Sequence, residues 1–258
     1  MEVGPRFGSG GFVTTFSNDD PATDEAAGNT LARNTLARDG LASDDFSRQS
    51  FQRQLTRLFQ LRRDVRHFRS SPLPEGLLGE LVEAACLAPS VGLSQPWRFV
   101  SVRDANRRRA VAEEFERQNE VAASRYEDQF DEATAVEYRQ LKLAGLRDCP
   151  EHLAVFVQPQ PRRGRGLGRA TMPESVDYSV VAAIQNFWLA ARSRGIGVGW
   201  VSILRPEVMP ELLSVDADWR LIAYLCVGYP IEPVNEVPQL ESAGWETRDK
   251  GPSRWLVR

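Results

Sequence analysis

Three arginines and an aspartate fall within five residues, Arg62-Arg63-Asp64-Val65-Arg66. Guanidinium groups this close together can hold a dianionic phosphate through charge-assisted, often bidentate, hydrogen bonds. They also follow an apolar-periodic stretch, where arginines complement the C-terminal dipole of a helix and stay solvated, so the pentapeptide alone leaves both readings open. Asp64, set among arginines, is expected to be an ionised ion-pair partner. A second stretch runs Ala88-Pro89-Ser90-Val91-Gly92-Leu93-Ser94-Gln95-Pro96-Trp97. It gathers backbone N–H groups, the hydroxyls of Ser90 and Ser94, the Gln95 amide and an aromatic plane into one tight turn. Such a set suits a flat heterocycle with a polar edge. The plainer alternative is a helix-to-strand turn with Trp97 in the core.

Two glycine-rich stretches do not carry a dinucleotide site. Gly164-Arg-Gly-Leu-Gly-Arg169 misses the GxGxxG spacing. Gly195-Ile-Gly-Val-Gly199 leads from a helix into a strand, the reverse of the order that aims a helix N-terminus at a pyrophosphate. Residues 164–174 read instead as a flap, with Met172 available to cover a ligand, or as a passive surface loop. His67 and His152 have no partner at metal-ligand spacing and are expected to be structural or superficial. Cys86, Cys149 and Cys226 form no CxxC pair, which argues against structural zinc. Cys86 and Cys226 lie in apolar runs and are expected to be buried, reduced thiols.

These groups need a scaffold, and hydrophobic periodicity outlines one. Phe46, Phe51, Leu55, Leu58 and Phe59 recur at near-helical spacing up to Leu61, and Leu77, Leu81 and Ala85 predict a helix ending before Pro89. Trp97–Val102 alternates as a strand does, and a long polar helical region, broken once, is expected over 104–146. A strand over Leu153–Val157 and a buried helix over Ser175–Arg194 follow. Strands over Val198–Leu204 and Leu221–Val227 flank a short helix near 207–213. The tail after Pro233 lacks periodicity but carries Trp245 and Trp255, which suggests a wrapping arm with aromatic anchors. This order of strands and helices predicts an α+β three-layer sandwich rather than a regular βαβ series.

The chain has 258 residues, 42% of them hydrophobic, enough for one sizeable domain, residues 48–258. Residues 1–47 are rich in Gly, Ser, Asp, Asn, Thr and Ala and are expected to be a disordered extension. A formal charge of −3 gives no global pull toward nucleic acid or an anionic membrane. No stretch approaches the ~20 apolar residues of a membrane span, and no signal peptide is recognisable, so a cytoplasmic protein is expected.

The order of an arginine-rich pentapeptide, an Ala-Pro-Ser loop ending in Gln-Pro-Trp, and a glycine-rich entry to a late strand resembles the nitroreductase-like flavoproteins. Within them it resembles the BluB family of 5,6-dimethylbenzimidazole synthases. The stretches carrying that resemblance are Arg62–Arg66, Ala88–Trp97, Leu141-Lys-Leu143, Gly166–Arg169 with Thr171-Met-Pro-Glu174, Gly197-Val-Gly-Trp-Val-Ser-Ile203, Leu225–Pro230 and Gly244–Arg248. They span Leu61 to Arg248. Asp64, where ordinary nitroreductases carry a small residue, discriminates most.

The resemblance implies a three-layer sandwich with a central mixed sheet flanked by helices. It also implies that reduced flavin mononucleotide (FMN) is a substrate, fragmented with dioxygen to dimethylbenzimidazole, the lower ligand of cobalamin, and erythrose 4-phosphate. No metal is implied. Position by position, Arg62, Arg63, Val65 and Arg66 would bind the phosphate and flavin edge, and Ser90 and Ser94 would contact the ring region. Asp64 would shuttle protons, Ser202 would hydrogen-bond the flavin or its oxygen adduct, and Met172 would help close the pocket. A homodimer with flavin at the interface, embraced by the arm after Pro233, and a separate flavin reductase are the implied partners.

Three other readings stay open. One is an NAD(P)H-dependent nitroreductase or quinone reductase, which a charge at Asp64 over the flavin face would hinder. The others are a cob(II)yrinic acid a,c-diamide reductase and a non-catalytic flavin-binding protein.

Overall fold

The computed structural model describes residues 49–129, 132–141, 145–249 and 251. The chain divides into two units, Met1–Gln52 and Arg53–Arg258. The disorder expected of residues 1–47, the anchor expected at Trp255 and most of the Leu141–Leu143 stretch lie outside the described residues.

Helices α1 (Gln49–Leu61) and α2 (Leu77–Cys86) precede strand β1 (Trp97–Ser101). Helices α3 (Ala105–Gln129) and α4 (Glu132–Gln140) follow, then β2 (Glu151–Val157), α5 (Ser175–Ser193) and β3 (Gly197–Val201). A short α6 (Met209–Leu213), β4 (Arg220–Gly228) and the single turn α7 (Gln239–Ser242) complete the order. The four strands lie β1-β2-β4-β3, all antiparallel. Among the described residues the mixed character expected of the sheet is confined to one isolated parallel bridge, Asp64 to Val198.

Alternation along the strands builds the layers, because successive side chains point to opposite faces. Leu153, Val155 and Val157 of β2 join Ala223, Leu225 and Val227 of β4 against α2 and α5. Ala154 and Phe156 turn the other way and meet Val111 of α3 and Met209 and Leu213 of α6. Helix α5 buries Val176, Ser179, Val180, Ala183, Ile184, Phe187, Trp188 and Ala191, the three-and-four spacing of a core-facing stripe. Burying Phe187 alone is worth about 1.5–3 kcal/mol.

Strand β3 is shorter than its apolar run predicts. Ser202 is already exposed, and the chain turns toward Pro206 instead of continuing the sheet. Cys86 corrects a second expectation: Cys149 and Cys226 are buried, but Cys86, at the end of α2, is only half-buried. His152 is buried and its Nδ1 lies 3.0 Å from the Tyr224 hydroxyl, while hydrogen bonding from Cys226 lowers the neighbouring Cys149 thiol.

Behind the sheet, Glu114 of α3 is fully buried and pairs with Arg205 (Nε to Oε1 2.7 Å, Nη2 to Oε2 3.2 Å) and with Arg117 (2.8 Å). The Arg205 hydrogen bond, more than any other cause, holds its carboxyl at about 2 against an ordinary 4.5. A depressed folded pKa means that the unfolded chain takes up the proton first. This contribution to stability is therefore present above about pH 4.5 and lost as pH falls toward 2. Urea unfolding of Glu114→Gln is expected to show a loss of about 1–3 kcal/mol at neutral pH and a shallower acid decline than the parent. Equal acid slopes would move the effect to other carboxylates.

Candidate functional site

Leaving α1, residues 62–66 lie along the free edge of β3. Val65 N–H donates to the Val198 carbonyl at 3.0 Å, and Trp200 N–H donates to Asp64 Oδ1 at 2.9 Å. Two glycines permit this approach. A Cβ on Gly199 would stand 2.2 Å from the Val65 carbonyl oxygen, and one on Gly197 would stand 2.9 Å from a Val65 methyl. Val65 is thus a buried wedge that seats the strap.

The polar groups on the strap are fixed in turn. Arg66 Nε donates to Asp64 Oδ2 at 2.9 Å, so each carboxylate oxygen has a donor while the side chain stays 33% exposed. Arg62 lies over the Trp188 ring at 4.9 Å, and Trp188 Nε1 donates to the Arg63 carbonyl at 3.2 Å. The Arg63 guanidinium bonds the carbonyls of Gln60, Arg62 and Asn235. Its pKa is lowered, first by burial and then by the charges of Arg62 and Arg248. Crowded, partly desolvated cations of this kind favour a bound anion.

A cavity of about 370 Å³ opens here, lined by Arg63, Asp64, Val65 and Arg66 on one side and Pro233, Val234 and Asn235 on the other. The late segment closes it from its own chain. Trp245 packs edge-on to Tyr126 at 5.7 Å, Tyr126 stacks on Tyr138 at 4.4 Å, and Arg248 Nε bonds Glu241 at 3.0 Å. The aromatic anchor expected at Trp245 exists, with its partners on the α3–α4 pair of the same chain. Arg248 is the residue that sequence reasoning missed. Gly244–Arg248 carries part of the resemblance, but only the fold brings this guanidinium beside Arg63.

Ser90, Ser94 and Met172 form a second cluster, and none of them lines that cavity. Ser90 Oγ accepts the Gln95 N–H at 3.1 Å, and Val91 N–H donates to Ser179 Oγ at 3.0 Å. Gly92 and Leu93 take positive φ (57° and 55°). The loop expected to be a flap is docked here: a Cβ on Gly164 would stand 2.7 Å from the Gly92 carbonyl oxygen. Ser94 Oγ and Arg169 Nη1 are buried without a hydrogen-bond partner. Met172 is exposed at the start of the turn into α5, and its carbonyl accepts the Ser175 hydroxyl at 2.6 Å. Helix α5 separates the clusters, since Ser179 touches one and Trp188 the other, about 14 Å apart along the axis. Ser202 stands with the first cluster by sequence, two residues beyond Trp200.

An anionic flavin fits these groups. The guanidinium-lined cavity suits a phosphate, and the orphaned Ser94 hydroxyl offers a hydrogen bond in the loop suited to a heterocycle. Among the described residues no group of three or more His, Cys, Asp or Glu could hold a metal ion.

The sequence pattern of the nitroreductase family matches residues 60–229. The chain is 50% identical over 198 residues to the 5,6-dimethylbenzimidazole synthase of Rhodospirillum rubrum, covering 77% of this chain and 92% of that protein. It is 40% identical to the 5,6-dimethylbenzimidazole synthase of Rhodobacter capsulatus, covering 79% and 95%. Among solved structures, oxidised iodotyrosine deiodinase bound to FMN and 3-iodo-L-tyrosine superposes with a TM-score of 0.59 at 25% identity, covering 72% of this chain and 94% of that one.

Proposed function

Because the chain belongs to the nitroreductase family, we propose that it is a 5,6-dimethylbenzimidazole synthase, an oxidoreductase that fragments reduced FMN with dioxygen to dimethylbenzimidazole and erythrose 4-phosphate. The observation that carries the reading is the Asp64 carboxylate, held by Arg66 and the Trp200 N–H at the wall of a guanidinium-lined cavity. A retained flavin reduced by nicotinamide has no use for a fixed anion there.

Reduced FMN, the substrate, supplies the electrons that dioxygen accepts. Its dimethylbenzene ring, the two attached nitrogens and one carbon of the ribityl chain leave as dimethylbenzimidazole. The other four ribityl carbons leave as erythrose 4-phosphate, and the pyrimidine part of the ring is the remaining fragment. Arg62, Arg63 and Arg248 bind its phosphate, and Val65 and Arg66 set its edge. Asp64 receives and returns protons at its carboxylate. Its orientation is fixed before substrate arrives, so little reorganisation accompanies each transfer. Ser202, exposed just past β3, donates a hydrogen bond to the substrate. Ser90, Ser94 and Met172 bind and cover the ring.

One chain holds these two sets at opposite ends of α5. A two-fold partner can bring the Ser90–Ser94 loop of one copy opposite Asp64 of the other, which supports a homodimer with flavin between the subunits. Leu87 (70% exposed), Tyr178 (60%) and Met172 (53%) offer the apolar surface that such a contact would bury. A separate flavin reductase supplies the reduced FMN. No helix among the described residues is long and apolar enough to cross a membrane, and buried reduced thiols suit the cytoplasm.

Incubating the protein with reduced FMN in air and identifying products by mass spectrometry tests the reading. Dimethylbenzimidazole is the expected product. Intact FMN with NAD(P)H oxidation would return the protein to the nitroreductases, and intact FMN without it would leave a flavin carrier.

A further inference from the structure

The reading above leaves the most basic stretch of the chain without a task. Arg162, Arg163, Arg165 and Arg169 fall within eight residues, and no acidic residue lies between Glu151 and Glu174. The whole chain carries −3, so everything outside this loop carries −7. Several arginines elsewhere pair with carboxylates: Arg117 and Arg205 with Glu114, Arg139 with Glu127, Arg220 with Asp177 and Arg248 with Glu241. Among the described residues, none of the four loop arginines has a carboxylate partner.

The backbone presents this charge outward at some cost. Arg165 has φ 48°, a left-handed conformation that is unfavourable for a residue bearing a Cβ. Gly164, Gly166 and Gly168 also have positive φ. The loop is docked on Gly92, so the backbone that carries these charges is held in place, and Arg162, Arg163 and Arg165 are exposed. With Gly92 and Leu93 they line an open groove of about 1030 Å³ beside the loop assigned to the flavin ring. Arg169, next in the chain and half-buried, keeps one buried nitrogen without an acceptor.

We propose that this arginine loop is the capture site for the flavin's phosphate monoester dianion on its way into the active site. The proposal rests on the reading that reduced FMN is consumed. An enzyme that retains its flavin binds it once, but one that destroys it must recruit a new dianion at every turnover, against the negative field of the rest of the chain. A fixed +4 patch at the entrance raises the encounter rate, an effect that reaches only about 8 Å at physiological ionic strength and weakens as salt is added.

The test follows association of reduced FMN by anaerobic stopped flow, with full-length protein and the triple variant R162Q/R163Q/R165Q, and reduced riboflavin as the probe without phosphate. At about 20 mM salt the variant is expected to bind reduced FMN about tenfold more slowly than the parent, with the gap closing at about 300 mM. Association of riboflavin and turnover at saturating reduced FMN should not change. Equal association of FMN by parent and variant at low salt overturns the proposal, as does an equal slowing of riboflavin. If the parent binds reduced FMN without consuming it, the synthase reading falls, while the association rates still decide whether the loop captures phosphate.

Discussion

Exchange of Asp64 for Asn is expected to cut dimethylbenzimidazole formation at least tenfold, a loss of about 1.4 kcal/mol or more of transition-state stabilisation, while reduced FMN still binds. The geometry explains the selectivity. Asparagine keeps the size and one acceptor, so its carbonyl oxygen can take the Trp200 N–H that Asp64 Oδ1 now accepts. Its NH₂ must then face Arg66 Nε, donor against donor, where a carboxylate oxygen now sits at 2.9 Å. That mismatch costs about 1–3 kcal/mol unless Arg66 turns away, so thermal unfolding should be measured alongside. In the proposed assignment binding relies on Arg62, Arg63 and Arg248, none of which bonds Asp64, and should survive. Product yield equal to the parent's would remove Asp64 from proton transfer, and loss of binding would make it a structural clamp.

Gly199→Ala is expected to do more damage through a single methyl group. Its Cβ would lie 2.2 Å from the Val65 carbonyl oxygen, a backbone atom that cannot swing aside, so the strap must lift from β3. Overpacking of this kind costs about 1–3 kcal/mol, which in a domain of this size lowers Tm by several degrees. The Asp64–Trp200 and Val65–Val198 bonds would be strained together, and flavin affinity should fall tenfold or more. Gly79→Ala is the control. A methyl there meets nothing within 4 Å, it lies in α2, and it should be neutral or slightly stabilising. Normal flavin binding by the Gly199→Ala protein would show that the strap need not sit against β3.

Much of this scaffold is readable in the residues. The runs around Val155 and Leu225 predicted strands, and the apolar stripe from Val176 to Ala191 predicted a buried helix. In each case local pattern and tertiary burial agree. The pairing of Asp64 with Val198 has no such local signature, because it joins residues remote in sequence through backbone groups that every residue possesses. The early end of β3 was equally hidden. Val201, Ile203 and Leu204 look strand-like, but Leu204 leaves the sheet to pack beside α6, and Arg205 follows it to reach Glu114. The arginines were visible as a cluster. That Arg248 would join Arg63, and that Ser90 and Ser94 would lie toward the other end of α5, depended on chain reversals that composition does not encode.

The strap that carries Asp64 also closes an open edge of the sheet. In the order β1-β2-β4-β3, strand β3 ends the sheet, and its outward Val198 carbonyl and Trp200 N–H are the groups taken up by Val65 and Asp64. An uncovered apolar edge of this kind is a template for strand addition by another chain and hence for aggregation. Mobility in residues 62–66 therefore has a colloidal cost. A variant that loosens the strap to admit a bulkier substrate would also unmask β3, so solubility limits how far this site can be remodelled.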